Sequence, residues 1–260
     1  MEETVQINHN PVSMQQELET SNSEKEELRN KLAELTKEMN QFTYIVSHDL
    51  QAPLRMVTGF LELLEKKYGN KLDASAKQYI DYAVKGATKM KNLVFDLLEY
   101  SRLSSAVKEY EEVDLNIIFK EVKEKLQPVF EEAKAVITTD HLPVVIADRK
   151  QIFLLLEHLL GNALKFRSLE PPLVAITVKK ENNFWTIAVK DNGIGVEVAF
   201  AEKIFIIFRR LHNDDAKYGG TGTGLAMCKK IIELHGGTIW VEPAVENGSV
   251  FYFNLPVKSQ

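Results

Sequence analysis

The sequence has 260 residues, 45% apolar and 27% charged, with a formal net charge of −5 and a pI near 5.8. This is the composition of a folded chain of one large or two modest domains, and its acidic balance excludes the clustered Lys and Arg with which nucleic-acid binders neutralise phosphate. The single cysteine, Cys228, excludes an intrachain disulfide framework and a cysteine-clustered metal site, and no apolar run approaches the roughly 20 residues that span a bilayer.

The start MEETVQINHN has neither a basic n-region nor an apolar h-region, so the chain is expected to be cytoplasmic and unexported, with Cys228 an inert buried thiol in GLAMCKKII. From Met14 onward, Met14, Leu18, Ser21, Lys25, Leu28, Leu32, Leu35, Met39, Phe42 and Val46 step alternately by four and three, the a/d seam of a coiled coil. An amphipathic helix packed on its own domain would share this period. A polar heptad stretch with no other core nearby favours pairing of two chains instead. Residues 1–13 are expected to be a frayed remnant.

The helix is predicted to run to about Lys67, break at Tyr68-Gly69-Asn70, and be followed by a second helix from near Asp73. Ala76, Tyr79, Ala83, Gly86, Met90, Leu93, Leu97 and Ser101 mark the second helix's apolar or small face. Such a hairpin buries little alone, whereas two make a four-helix bundle. Pro53 should bend the first helix one turn beyond His48, or be simply a tolerated proline.

After Ser104 the pattern becomes mixed α/β, so the predicted fold class is α+β: a coiled coil and helical hairpin followed by an α/β sandwich. A helix over Leu115 to Glu132 precedes short strands at Ala135 to Thr138 and Val144 to Ile146. Asp148 offers an N-cap for a helix through Phe166. Strands follow at Leu173 to Lys179 and Phe184 to Lys190 around a Glu181-Asn182-Asn183 turn. A helix over Leu225 to Leu234 and a hairpin over Thr238 to Val241 and Val250 to Leu255 close the chain.

Four constellations carry chemistry. His48-Asp49 lies on a helix whose apolar side, Phe42, Ile45, Val46 and Leu50, is committed inward, so His48 should face out while Asp49 holds one ring nitrogen and leaves the other nucleophilic. Asn162 and Lys165 share a helix face, where an amide oxygen suits Mg²⁺ and an ammonium suits phosphate. Asp191-Asn192-Gly193-Ile194-Gly195 puts a carboxylate at a strand end, able to accept from an exocyclic amine. Gly219-Gly220-Thr221-Gly222-Thr223-Gly224 opens a helix, where unpaired amides make an anion site. A solvated helical pair, surface polar residues and an Asp-Asn-Gly turn are the plain alternatives for the first three. Alternate glycines before a helix are harder to explain without phosphate.

The order of these motifs, from Phe42 to Pro256, resembles the two-component sensor histidine kinase family. Phe42 to Arg55 looks like its phosphoacceptor box, Asn162 to Phe166 its asparagine box, Asp191 to Gly195 its first glycine box, Ile204 to Arg210 its phenylalanine box and Gly220 to Leu225 its second glycine box. Gly248-Ser249-Val250-Phe251 is similar to its closing glycine segment. His-Asp-Leu-Gln-Ala-Pro-Leu-Arg is like that of phytochrome-like kinases.

The resemblance implies a coiled-coil signalling linker (1–40), a dimerisation and histidine phosphotransfer domain (41–104) and a catalytic ATP-binding domain of the gyrase, chaperone and mismatch-repair type (105–260). His48 would be the phosphoacceptor and Asp49 its polariser. ATP would be held by Asn162, Lys165, Asp191, Gly193, Gly195, Phe208, Arg210, Gly220, Thr221, Gly222, Gly224 and Leu225, with Mg²⁺ on Asn162 and the segment from Gly195 to Gly220 closing as a lid. The implied partners are a second copy of the chain, as a homodimer, and the aspartate of a response-regulator receiver domain; nothing in the sequence names the input.

Three residues depart from the family pattern. His158 stands where the family usually has Asn, Ile206 replaces a usual acidic residue, and Ala52 lacks the polar group with which relatives orient water. The resemblance therefore leaves room for a degenerate ATP-binding dimeric scaffold without efficient phosphotransfer. It also leaves room for an ATPase, against which His158 counts, since water activation there needs a carboxylate.

Overall fold

The computed structural model of the chain describes residues 11–105, 109–211 and 218–257, without the side chains of 11–19, 32, 33, 36, 40, 104 and 105. Residues 1–10 of the expected frayed start, the seam side chains Met14, Leu18 and Leu32, and 212–217 of the expected lid lie outside the described residues.

Helix α1 runs from Pro11 to Tyr68, unbroken through Pro53. A 3-10 turn over Gly69–Lys71 reverses the chain, and the Asp73 carboxylate accepts from the Ala76 N–H at 2.7 Å to start α2, Ala74–Ser105. α1 packs on α2, and the shielded positions are Thr43, Ser47, Leu54 and Thr58 on α1 and Ile80, Ala87, Val94, Leu98 and Ser101 on α2. This α2 stripe shares Ser101 with the expected one and is elsewhere offset from it by one residue. Of the expected positions, Tyr79 is 69% exposed and Met90 49%. The reason is that α2 has two apolar stripes, and α1 of the same chain covers only one. On α1, Phe42, Ile45, Leu50, Met56 and Phe60 are likewise exposed. No described helix is long and apolar enough to cross a membrane.

The rest is a layered α/β unit. β1 (Tyr110–Asp114) leads into α3 (Leu115–Ala133), capped by the Asp114 carboxylate accepting from the Asn116 N–H at 2.8 Å. β2 (Val136–Thr139) and β3 (Val144–Asp148) precede α4 (Arg149–Lys165), where Asp148 accepts from the N–H groups of Lys150 and Gln151 as its composition predicts. β4 (Leu173–Glu181) and β5 (Phe184–Asp191) form a hairpin, with Asn182 at φ 53° in its turn. After α5 (Gly224–Leu234), β6 (Ile239–Pro243) and β7 (Ser249–Pro256) close the chain.

The main sheet has the order β2-β4-β5-β7-β6, with β2 parallel to β4 and the other pairs antiparallel. β3 pairs instead with β1 in a separate two-stranded ribbon. Period-two alternation sends Val174 and Ile176, Ile187 and Val189, and Phe251, Phe253 and Leu255 to one face. There they pack under Leu155, Leu156, Leu159 and Leu160 of α4, Ile118 and Val122 of α3, and Ile231 and Ile232 of α5. Each fully buried aliphatic side chain contributes roughly 2 kcal/mol. His235 ties the layers: its Nδ1–H donates to the Ile231 carbonyl at 2.7 Å, and its Nε2 accepts from the Asp148 N–H at 3.0 Å. The end of α5 is thereby fixed to the start of α4.

Candidate functional site

The same alternation that buries Ile187 and Val189 puts Asp191, at the end of β5, on the buried face, where it is 8% exposed. Its Oδ1 accepts from the N–H of Gly193 at 2.8 Å and from that of Ser249 at 3.3 Å. Both backbone donors go to one oxygen, which leaves Oδ2 to accept from a ligand. Burial pushes the carboxyl above the usual carboxylate range, and the two N–H donors oppose that rise. The close approach of β7 depends on Gly248 at φ 93°, where a Cβ would lie 2.0 Å from the Asp191 carbonyl oxygen.

On α4 the period of the helix aligns His158, Asn162 and Lys165 along one wall of the same cavity. The Lys165 ammonium lies 4.8 Å from the Phe166 ring centre, and its pKa is lowered by burial and then by Arg210 nearby. Phe166 stacks on Tyr218 with ring centres 5.4 Å apart, and Arg210 donates to the Tyr218 carbonyl at 2.9 Å. These contacts tie Arg210 to Tyr218 and Tyr218 to Phe166, the residue that follows α4. His158 packs against Gly224, the first residue of α5, where a Cβ would come within 3.1 Å of its Nδ1. Burial pushes the imidazole below its ordinary range, against the pull of Glu157 and Asp96, and among the described residues its buried Nε2 has no hydrogen-bond partner.

The third wall is the glycine loop. Gly222, at φ 80°, lies so close to the Arg209 carbonyl that a Cβ would be 2.8 Å from it, which holds the loop tight against Arg209 and Arg210. Thr223 stands at the N-cap of α5 but makes no capping bond. Its hydroxyl turns to Asp96 of α2 at 2.6 Å, and the Thr221 hydroxyl meets the same carboxylate oxygen and lies 2.8 Å from Thr223. Asp96 thus belongs to the cavity lining although it comes from the hairpin.

The structure brings Asn162, Lys165, Asp191, Gly195, Arg210, Gly220, Thr221, Gly222, Gly224 and Leu225 around one cavity. Gly193 is not on its wall; it stands behind, donating to Asp191. Phe208, at φ 62°, borders a neighbouring cleft with Leu93, Val94 and Leu97 of α2 rather than the cavity itself. His48 and Asp49 lie apart from the cavity on α1, 71% and 74% exposed at the side chain, with Nδ1 and Oδ1 3.2 Å apart. This geometry suits the tautomer in which an Nδ1–H donates to the carboxylate and the lone pair is left on Nε2. Asp96, Ser249 and Phe251 were not assigned a role from the sequence. The Gly248-Ser249 step marked the neighbourhood of the last two, while nothing local marks Asp96.

The arrangement suits a nucleoside triphosphate: an acceptor deep between strands, a loop of amides and hydroxyls at a helix N-terminus, and Lys165 and Arg210 between them. Among the described residues no trio of His, Cys, Asp or Glu is placed to hold a metal ion. Asn162 offers a hard oxygen, which fits a Mg²⁺ ion that takes its other ligands from phosphates and water.

Residues 147–259 match the family of histidine kinase-, DNA gyrase B- and HSP90-like ATPases, and residues 38–106 match the His Kinase A (phospho-acceptor) domain. Cyanobacterial phytochrome A of Nostoc sp. is 42% identical over 220 residues, which are 85% of this chain and 29% of the relative. The chain spans less than a third of that curated relative's length. The crystal structure of full-length ShkA in complex with AMPPNP is similar with a TM-score of 0.63 at 27% identity, over 85% of this chain and 46% of the other. Histidine kinase ThkA in complex with response regulator protein TrrA is similar with a TM-score of 0.59 at 28% identity, over 92% of this chain and 66% of the other.

Proposed function

This chain belongs to the two-component sensor histidine kinase family, and on that premise we propose that it is a kinase core that phosphorylates its own His48 from ATP and passes the phosphoryl group to a receiver-domain aspartate. Residues 1–40 act as the coiled-coil linker, 41–104 as the dimerisation and phosphotransfer hairpin, and 105–260 as the ATP-binding domain. The observation that carries this reading is the convergence of Asp191, Asn162, Lys165 and the glycine loop on one cavity, in a chain that also presents His48 with Nδ1 facing a carboxylate.

Asp191 Oδ2 accepts the adenine amine, and Lys165, Arg210 and the loop from Gly220 to Gly224 take the phosphates. Mg²⁺ on Asn162, when bound, offsets phosphate charge. The Nε2 lone pair of His48 attacks the γ-phosphorus in line, the bond from that phosphorus to the β–γ bridging oxygen breaks, and ADP leaves. Asp49 takes up the positive charge that develops on the ring through the Nδ1–H it already faces. The phosphoryl group then moves from Nε2 to the receiver carboxylate, and the imidazole is regenerated. His48 stands outside the cavity of its own chain, so transfer within one chain requires the ATP-binding domain to leave its present seat on α2. The apolar stripes of α1 and α2 left exposed in one chain are the surface for a second copy, which completes a four-helix bundle.

One observation favours a second reading. The buried imidazole of His158, a soft nitrogen beside Asn162, suits Mg²⁺ poorly, as in a nucleotide-binding scaffold without efficient transfer. Incubation with Mg²⁺ and γ-labelled ATP separates the two. Acid-labile, base-stable label that is lost in His48→Gln is the expected result. Measurable nucleotide binding with no label on the wild-type chain would overturn the kinase reading in favour of the scaffold.

A further inference from the structure

The glycine loop is built to hold an anion, and the anion that meets its hydroxyls belongs to the hairpin. The N-terminus of α5 carries the partial positive charge of its unpaired amides. Thr223, at its N-cap, leaves the helix uncapped and turns its hydroxyl to Asp96 Oδ2 at 2.6 Å. The Thr221 hydroxyl is on the same oxygen, and the two hydroxyls are 2.8 Å apart. Two hydroxyl protons thus serve three close contacts centred on one carboxylate. Asp96 is 125 residues from Thr221 in sequence, and it lines the cavity together with Lys165 and Arg210.

We propose that Asp96 is an internal competitor for the phosphate loop, a latch that seats the ATP-binding domain on α2 and must be displaced before a nucleoside triphosphate can be bound in full. The inference rests on the reading of Gly219 to Leu225 as the phosphate site. A carboxylate and a polyphosphate cannot share those hydroxyls, because both are acceptors and both are anions. Nucleotide binding and docking on α2 are therefore negatively coupled, and the coupling has a functional direction. In the latched arrangement His48 is outside the cavity, so the ligand that opens the latch is the one whose γ-phosphate His48 needs. A two-state element of this kind lowers apparent affinity by the fraction of molecules in the competent state.

The test is titration calorimetry of the full chain with Mg²⁺ and a non-hydrolysable ATP analogue. Asp96→Asn keeps the shape and removes the charge, Asp96→Ala removes the contact, and circular dichroism melts verify that each is folded. Tightening of about tenfold in either folded variant is expected, as for a latch closed in about nine molecules of ten. Wild-type or weaker affinity in both, with binding lost in Asp191→Asn, overturns the latch alone. Unchanged binding in Asp191→Asn overturns the nucleotide reading beneath it, and the latch falls with it.

Discussion

Replacing Asp191 by Asn separates the carboxylate's structural work from its recognition of a ligand. In the wild-type chain the N–H groups of Gly193 and Ser249 both donate to Oδ1, and Oδ2 is left to accept. The Asn side chain keeps an oxygen for the two backbone donors and puts an NH₂ where Oδ2 was. An adenine amine then meets a donor. The loss is one charge-assisted hydrogen bond, about 1.5 to 3 kcal/mol, with a further penalty of about 1 kcal/mol for opposed buried donors. At about 1.4 kcal/mol per tenfold, roughly 3 kcal/mol is more than a hundredfold in affinity. The fold should not suffer, since burial already disfavours the ionised carboxyl and Asn removes that cost.

Titration with a non-hydrolysable ATP analogue and a thermal melt read the two halves independently. Binding within threefold of wild type would refute the assignment of Asp191 as the adenine acceptor, and a melt lowered by several degrees would refute the claim that its backbone bonds survive. The same carboxyl has a pH signature. Between its ordinary value of 3.8 and its raised native value, the native chain binds more protons than the unfolded chain. Stability on this account therefore falls as pH rises through that window, while nucleotide affinity, which needs the ionised acceptor, rises.

His158, whose native value is pushed below its ordinary 6.5 by burial, titrates the other way: the unfolded chain binds the extra proton, so the stability held above pH 6.5 is lost as pH falls from there toward the lowered value. His158→Asn should flatten that part of a pH-dependent urea melt and tighten nucleotide binding severalfold; a variant identical to wild type in melts, binding and phosphorylation would refute both the burial argument and the mismatch with Mg²⁺. Ala52, exposed one turn beyond His48, offers no polar group to a water. The chain should accordingly leave the half-life of a phosphorylated receiver unchanged, and rapid ADP-stimulated loss of that phosphate in its presence would contradict the expectation.

Most of the secondary structure was legible because its signals are local. Asp148 caps α4, and the alternation in Phe184 to Lys190 and Val250 to Leu255 became β5 and β7. Asn182 turns the hairpin. The strand Tyr110–Asp114 was not legible: YEEVD has no alternation, and it is a strand because β3 needs a partner outside the main sheet. Apart from Ser101, the stripe on α2 was read one residue out of place for a related reason. Two apolar stripes run along that helix, and only packing against α1 distinguishes Ile80, Ala87, Val94 and Leu98 from Tyr79 and Met90.

The motifs themselves, His48 beside Asp49, Asn162 one turn from Lys165, Asp191 before two glycines and a glycine run before a helix, are properties of the sequence. Each is specified by the chemistry of a few neighbouring residues, which is why the family and the α+β class could be read without coordinates. The order β2-β4-β5-β7-β6, the seat of Ser249 on Asp191 and the capture of Thr221 and Thr223 by Asp96 were decided only by the tertiary structure. They join residues far apart in the chain, and a side chain's partner across such a distance depends on how the whole core packs rather than on any local pattern.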